Sequence, residues 1–496
     1  MTSINSDFMS QLALRSLGNS SNMMTQAMER LSTGKRINSA ADDAAGLGIA
    51  TKLKAQVNSL NAAGRNASDA LALVGTIDGA LEESGEILQR MRELSVQSAS
   101  DTNTGTDRTF IQDEINALNN ELNRISSSTE FNSVKLLDGT YTDKSIQIGT
   151  GANQVFRIGI AATDSATLGA FQTNSANEVQ TSTSHALAKS ALDAEFGTNA
   201  DYTVKGSFGT TTAQVDAGAD ARDVAKTFNL LTGTTGITAS VITKAKIKGA
   251  DTTTYSFTLQ GKSSTASTVN FTLSSTSDQT ALKDAVNAVT GSTGIVASLT
   301  SDLSAVNLVQ EEGYDIIIGD VTSAAASKTM IVNTMDKDGG AGSDVTLTSG
   351  ATDSAAFMGQ LSLSSHKAFT VTPGNSANAF NSTGNTETSS LSSLGDINLK
   401  TQNGATNSIA VIDAAMAMIS EVRSQMGAAE NRLESTVDNL SNIAVNTQRS
   451  LSSVEDANFA SETSALTKSQ ILQQAATSML AQANQAKQSM LVLLQG

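Results

Sequence analysis

Few side chains in this sequence have the types and spacings that could do chemistry. Histidine occurs twice, at His185 and His366, followed by Ala186 and Lys367. A zinc protease needs His-Glu-x-x-His, with two imidazoles one helical turn apart on the metal and a glutamate as base; neither histidine begins that pattern. Cysteine is absent, which removes thiol nucleophiles, disulfide scaffolds and Cys-based zinc sites together. The carboxylate pairs Asp42-Asp43 and Glu311-Glu312 are sequence neighbours, so on a helix or strand they point apart and do not converge on one proton. The glycine-rich piece Asp338-Gly-Gly-Ala-Gly-Ser343 lacks the Gly-Lys-Ser/Thr ending of a phosphate loop. No catalytic residue, cofactor or metal ion is expected, and none of these patterns points to an enzyme.

Composition narrows the partners. The net charge of −16 comes without a dense Lys/Arg cluster, so there is no basic stripe for nucleic acid. No stretch approaches 18 consecutive apolar residues, and Met1 to Phe8 has neither a basic n-region nor an apolar h-region; neither a membrane span nor a cleaved export signal is expected. With 4% aromatic residues, no Trp and one proline, Pro373, the core must be aliphatic. Thin seams rich in Ala and Ser remove little apolar surface, at roughly 25 cal/mol per Å², so such a chain needs length or partners to reach ordinary stability.

The elements follow from periodicity. Apolar positions at the N-terminal end recur with gaps of three and four, as helices packed on helices require. One run is Leu14, Leu17, Ser21, Met24, Met28 and Leu31. A second runs Leu53, Val57, Leu60, Gly64, Ala67, Leu71, Val74, and resumes after a three-residue phase shift as Ile77, Ala80, Ser84, Ile87, Met91, Leu94; the shift reads as a stammer. A third passes through Ile111, Ile115, Leu118, Leu122 and Ile125. Near the other end, a seam of Ile412, Met416, Ile419, Arg423, Met426, Glu430, Leu433, Val437, Leu440 and Ala444 is interrupted by two polar residues. The last one keeps strict spacing through Leu472, Ala476, Met479, Ala483, Ala486, Met490 and Leu493. Ser32-Thr33-Gly34 and Asp101 to Gly105 punctuate the helices.

The middle, from about 176 to 385, is dense in Thr, Ser and Gly. Alternation in Tyr255–Leu259 and Val269–Leu273 predicts half-buried strands, and Ser145–Ile148 with Val155–Ile160 around Gly149–Asn153 predicts a hairpin. Thr232-Gly-Thr-Thr-Gly-Ile-Thr-Ala-Ser-Val241 returns as Thr290-Gly-Ser-Thr-Gly-Ile-Val-Ala-Ser-Leu299. Each copy reads as a short helix, a glycine turn and a strand, in tandem α+β modules.

Leu31-Ser-Thr-Gly-Lys-Arg-Ile-Asn-Ser-Ala-Ala-Asp-Asp-Ala-Ala-Gly-Leu-Gly-Ile-Ala50 closely resembles the N-terminal signature of bacterial flagellins. Thr129–Asn132 with Lys135–Gly139, and Ser464–Ala475 with Met479–Asn484, resemble the same family. The resemblance covers about 1–160 and 390–496. It implies an α+β multidomain fold in which both termini form an antiparallel helical bundle or coiled coil, with β-rich variable domains inserted in the middle. The implied division is 1–44, inner helix and connector; 45–175, rod helices and β-hairpin; 176–385, variable outer domains; 386–450, C-terminal rod helix; 451–496, C-terminal inner helix.

The implied function is a subunit that polymerises into the extracellular flagellar filament for swimming motility, exported by the flagellar type III route without a cleaved signal peptide. Alternatives are a hook-filament junction protein, or a flagellin-like protein with an adhesive or catalytic insert. Self-assembly is assigned to Leu14, Leu17, Met24, Met28, Leu31, Leu472, Ala476, Met479, Ala483, Ala486, Met490 and Leu493. Implied partners are further copies of the chain, an export chaperone, and cap and hook-junction proteins. Gln89-Arg-Met-Arg-Glu-Leu-Ser-Val-Gln97 resembles the segment recognised by Toll-like receptor 5, with Gln89, Arg90, Leu94 and, on the next helix, Glu114 as contacts; Arg90 and Leu94, four apart, are expected to share a face. Residues 1–33 carry charges that cancel, and 460–496 hold only Glu462, Lys468 and Lys487. Nearly neutral ends with an alanine-rich seam are expected to be largely disordered in the monomer and to fold on assembly.

Overall fold

A computed structural model of the chain describes residues 8–175, 179–182, 200–216, 219–300, 302–324, 328–374, 380 and 386–495. His185 lies outside them. The long helices are α1 (Phe8–Thr33), α2 (Ala44–Ala99) and α3 (Gly105–Ser128) on the way out. Among the described residues of the middle are the shorter α4 (Ala221–Leu230) and α5 (Thr280–Asn287), each followed by a four-residue helical turn, Thr232–Thr235 and Thr290–Thr293. On the way back come α6 (Gln402–Glu455) and α7 (Phe459–Gln495). Helical ends around a β-rich middle are the predicted fold class.

Contacts divide the chain into two compact units. One holds Met1–Gly75, Asp143–Ile158 and Ala428–Gly496; the other holds Thr76–Thr142 and Gly159–Gly427.

The seam of α2 is continuous. Leu60, Ala63, Ala67, Ala70, Val74, Ile77, Leu81, Ser84, Leu88, Met91, Ser95 and Ser98 are all buried, with gaps alternating strictly between three and four. The predicted stammer is therefore absent. It arose from reading Gly64, Leu71, Ala80 and Ile87 as seam residues, although the burial runs through their neighbours. A similar displacement corrects α6, whose buried positions include the row Ala405, Ser408, Ile412, Ala415, Ile419, Met426, Ala429 and Leu433. Glu430 is exposed beside Ala429, so it does not interrupt the seam. Arg423, half-exposed, sits at its edge and reaches Asp78 Oδ1 at 2.9 Å. One 18-residue window of α6 is apolar enough, by length and composition, to cross a membrane; its stripe of Val411, Ile412, Ala415 and Ile419 is buried inside the second unit.

In the first unit the hairpin Lys144–Gln147 with Val155–Ile158 pairs antiparallel as predicted, Ile146 facing Phe156. Its Phe156 ring lies 5.4 Å under the Arg432 guanidinium, and Asn66 Nδ2 donates to Gln147 O at 2.9 Å. In the second unit, α3 begins with a capping box, Thr104 and Asp107 satisfying each other's backbone N–H. Polar side chains pin the returning chain to the helices. Ser98 Oγ donates to Leu399 O at 2.7 Å, Asn119 Nδ2 donates to Leu394 O at 3.0 Å, and Gln112 Oε1 accepts from Leu399 N at 2.6 Å.

The middle contains two copies of one module, one nested in the other. In the first copy the strands Ala200–Lys205 and Thr210–Val215 form a hairpin, followed by α4 and the strand Thr238–Ala250. In the second, Thr254–Gln260 and Ser267–Thr272 are followed by α5 and Val296–Leu299. The second copy completes itself with Val306–Gln310 and Ile316–Ser323, the latter pairing with its first strand. The first copy is completed only later in sequence, by Gln360–Ser365 and Thr370–Pro373 in the equivalent pairings.

The repeated sequence fixes one turn in both copies. Asn229 and Asn287 each bond both ways with a strand residue, Ala239 and Ala297, at 2.8 to 2.9 Å. Thr232 and Thr290 donate to Ile237 O and Ile295 O at 2.8 Å. Gly236 and Gly294 hold φ of 74° and 70°, the left-handed helix ending that a side chain resists.

Candidate self-assembly surface

The signature at 31–50 folds as a connector between α1 and α2 that is bonded to the turn between α6 and α7. Ala457 N donates to Gly34 O at 2.9 Å, Arg36 N donates to Glu455 O at 2.6 Å, and Arg36 Nη2 donates to Val454 O at 2.8 Å. Lys35 pairs with Glu455, and Arg30 with Glu462 at 3.3 Å. Asp42 closes the turn: its carboxylate accepts from Asn38 N, Ser39 N, Ser39 Oγ and Gln26 Nε2. Those hydrogen bonds, with the Ser39 N–H first, hold its pKa below the ordinary 3.8. Asp43 Oδ1 accepts from Gly46 N at 2.8 Å at the start of α2, and a side chain at Gly46 would collide with Asp43 and the buried Ile37. The adjacent carboxylates are thus two turn caps pointing apart.

These bonds set α1 antiparallel against α7. The buried face of α1 is made of small residues: Ser10, Ser20 and Ala27 are buried, with Ala13, Leu17, Met24 and Leu31 half-buried between them. On α7 the matching positions are Ser469 and Ala476, with Leu466, Gln473, Leu480 and Ala483 half-buried. Small side chains allow two backbones to approach closely, but remove little apolar surface. Of the predicted assembly residues, Leu17, Met24, Leu31, Ala476 and Ala483 lie in this intramolecular seam. Leu14, Met28, Leu472 and Met479 lie off it, 54%, 49%, 39% and 60% exposed. Ala486, Met490 and Leu493 fall in the last turns of α7, where side chains lie outside those described. Sequence reasoning selected the large apolar residues and missed Ser10, Ser20, Ala27 and Ser469; their signal was a recurrence of Ser and Ala at the same three-four spacing.

The second predicted surface divides. Arg90 is exposed and donates to Glu114 Oε1 at 2.8 and 3.0 Å and to Glu93 at 3.1 Å. Gln89 is exposed beside it. Leu94, expected to share their face, is buried, because the seam of α2 passes beneath it. His366 Nε2 lies 3.4 Å from Glu421 Oε2, and Glu312 pairs with Lys262 at 2.7 Å. Among the described residues no group of three or more His, Cys, Asp and Glu is placed to hold a metal ion.

Comparison with known proteins accords with this arrangement. The bacterial flagellin N-terminal helical region matches residues 4–142, and the C-terminal helical region matches 409–494. The B-type flagellin of Pseudomonas aeruginosa is 35% identical over 99% of both chains. Flagellin D of Vibrio anguillarum is 31% identical over 99% of both, and a flagellin of Salmonella typhimurium is 32% identical, again over 99% of both. Both helical ends, the connector that joins them and the full length between are shared, so the chain belongs to the bacterial flagellins, structural subunits of the extracellular flagellar filament.

Proposed function

We propose that the terminal helices divide the work of filament formation between two faces. The small-residue seam closes α1 on α7 within one subunit, and the larger residues left off it, Leu14, Met28, Leu472 and Met479, are covered by other copies of the chain. The exposure of these four side chains on otherwise nearly neutral helices is the observation that carries this reading. The predicted divisions fit the same scheme: 1–44 and 451–496 pack inside the filament, 45–175 and 386–450 form the rod, and 176–385 projects outward. Before polymerisation the exposed face needs cover, which is the role proposed for an export chaperone on the flagellar type III route; cap and hook-junction proteins would meet the same helices at the filament ends. The role is structural, and no reaction is assigned to the chain. Replacing Met28, Leu472 and Met479 with Ala and seeding the purified protein tests this by electron microscopy. The expected result is an unchanged helical content and loss of long filaments; filaments of normal length and yield would reject it.

We further propose that the exposed Gln89, Arg90 and Glu114 form a surface recognised by Toll-like receptor 5, with Leu94 supporting the backbone from below. Arg90→Ala with Glu114→Ala is expected to reduce receptor activation by the monomer at least tenfold, about 1.4 kcal/mol of binding. Unchanged activation by a normally folded variant would reject the assignment.

A further inference from the structure

Lys244 lies in the strand Thr238–Ala250 with 6% of its surface exposed. Its Nζ donates to two neutral oxygens, Lys337 O at 2.7 Å and Asn403 Oδ1 at 2.9 Å. No carboxylate pairs with it among the described residues. Burial pushes the amine below its ordinary value, and the charges of Asp338 and Asp336 offset this only in part. Asn403 is the second residue of α6. The turn Asp336 to Gly340, part of the glycine-rich piece that fits no phosphate site, wraps the pair: Gly339 holds φ of 92°, and a side chain there would sit 3.3 Å from Asn403 Nδ2. Asp338 in this turn accepts from Lys337 Nζ at 3.2 Å and from Asn407 Nδ2, one helical turn beyond Asn403.

We propose that Lys244 and Asn403 are the partners of an intramolecular isopeptide bond. A shielded amine rests on the carbonyl oxygen of a side-chain amide, and the Asp338 carboxylate, bonded to Asn407 one helical turn on, acts on the amine through its charge. Once deprotonated, Lys244 Nζ attacks Asn403 Cγ. The Nζ–Cγ bond forms, the Cγ–Nδ2 bond breaks, and the proton given up by Nζ passes to the leaving nitrogen, which departs as ammonia. Atoms and charges balance without an oxidant or a second substrate.

The competing chemistry at an Asn-Gly pair is attack by the following backbone nitrogen. Here the Gly404 N–H is held by Thr401 Oγ1 at 3.1 Å inside a helical turn, away from that path. The two partners are 159 residues apart, so the bond could form only after folding. It would tie the outer sheet covalently to the start of α6.

Intact-mass measurement of the folded full-length protein, with peptide mapping, tests the proposal. After incubation at mildly alkaline pH, the expected chain is lighter by one ammonia and yields a branched peptide joining Lys244 to Asn403. Lys244→Met and Asn403→Ala are each expected to keep their full mass. A wild-type chain that stays at full mass while circular dichroism reports it folded would overturn the proposal, as would a heavier chain carrying a deamidated Asn403.

Discussion

Asp42 and Asp43 show how much a residue's meaning depends on what folds around it. Read as a pair they offered acid-base chemistry; folded, each caps a different turn. Asp42 has a folded pKa below the 3.8 of a free carboxylate, so its bonds to Asn38 and Ser39 contribute stability that is full above 3.8 and is lost as pH falls through the lower folded value. Protection of the Asn38 and Ser39 amides, taken relative to their intrinsic exchange rate at each pH, is expected to be high at neutral pH and to fall as the pH drops well below 3.8, and Asp42→Asn should remove most of that dependence. Equal pH dependence in wild type and variant would show that another group holds the connector. The half-exposed carboxylate makes this a local effect on the connector rather than a determinant of global stability.

At the scale of elements, the helices, the hairpin and the two repeated turns were legible because their signals are local. Three-four periodicity, Gly34 and Gly236, and the alternation in Tyr255–Leu259 all act within a few residues. The phase of each seam was harder to read. In α2, Ala70 stands beside Leu71 and Leu88 beside Ile87; choosing the larger or the neighbouring apolar residue shifts the seam by one position and creates an apparent stammer. In α1 the choice of Leu14 and Met28 over Ala13 and Ala27 had the same cause. The nesting of one module inside the other could not be read, since Gln360–Ser365 pairs with Thr238–Ala250 across the whole second copy. The modules make a sharp prediction about their shared backbone approach. A methyl group at Gly206 or Gly261 would run into the carbonyl oxygen of Thr235 or Thr293, the same turn in each copy. Gly206→Ala is expected to cost about 1–3 kcal/mol in chemical unfolding followed by strand signal, with the terminal helices unaffected. A cost near zero would mean that the turn is free to shift.

For the whole molecule, the physics is a contrast in burial. The two nested modules hold closed cores, with Tyr202, Phe228, Tyr255, Phe257 and Phe357 fully buried, and can be stable within one chain. The paired terminal helices bury mainly Ser and Ala, while a fully buried Met or Leu side chain is worth about 1.5–3 kcal/mol. Fixing a residue's backbone costs roughly 1–2 kcal/mol before its contacts are counted, so α1 and α7 are expected to be ordered in substance only when other copies cover Leu14, Met28, Leu472 and Met479. Hydrogen exchange of α1 and α7, measured on monomer and on filament under the same conditions, tests this most directly. Little protection is expected in the monomer and strong protection in the filament, with the nested modules alike in both; terminal helices equally protected in the two states would contradict this division.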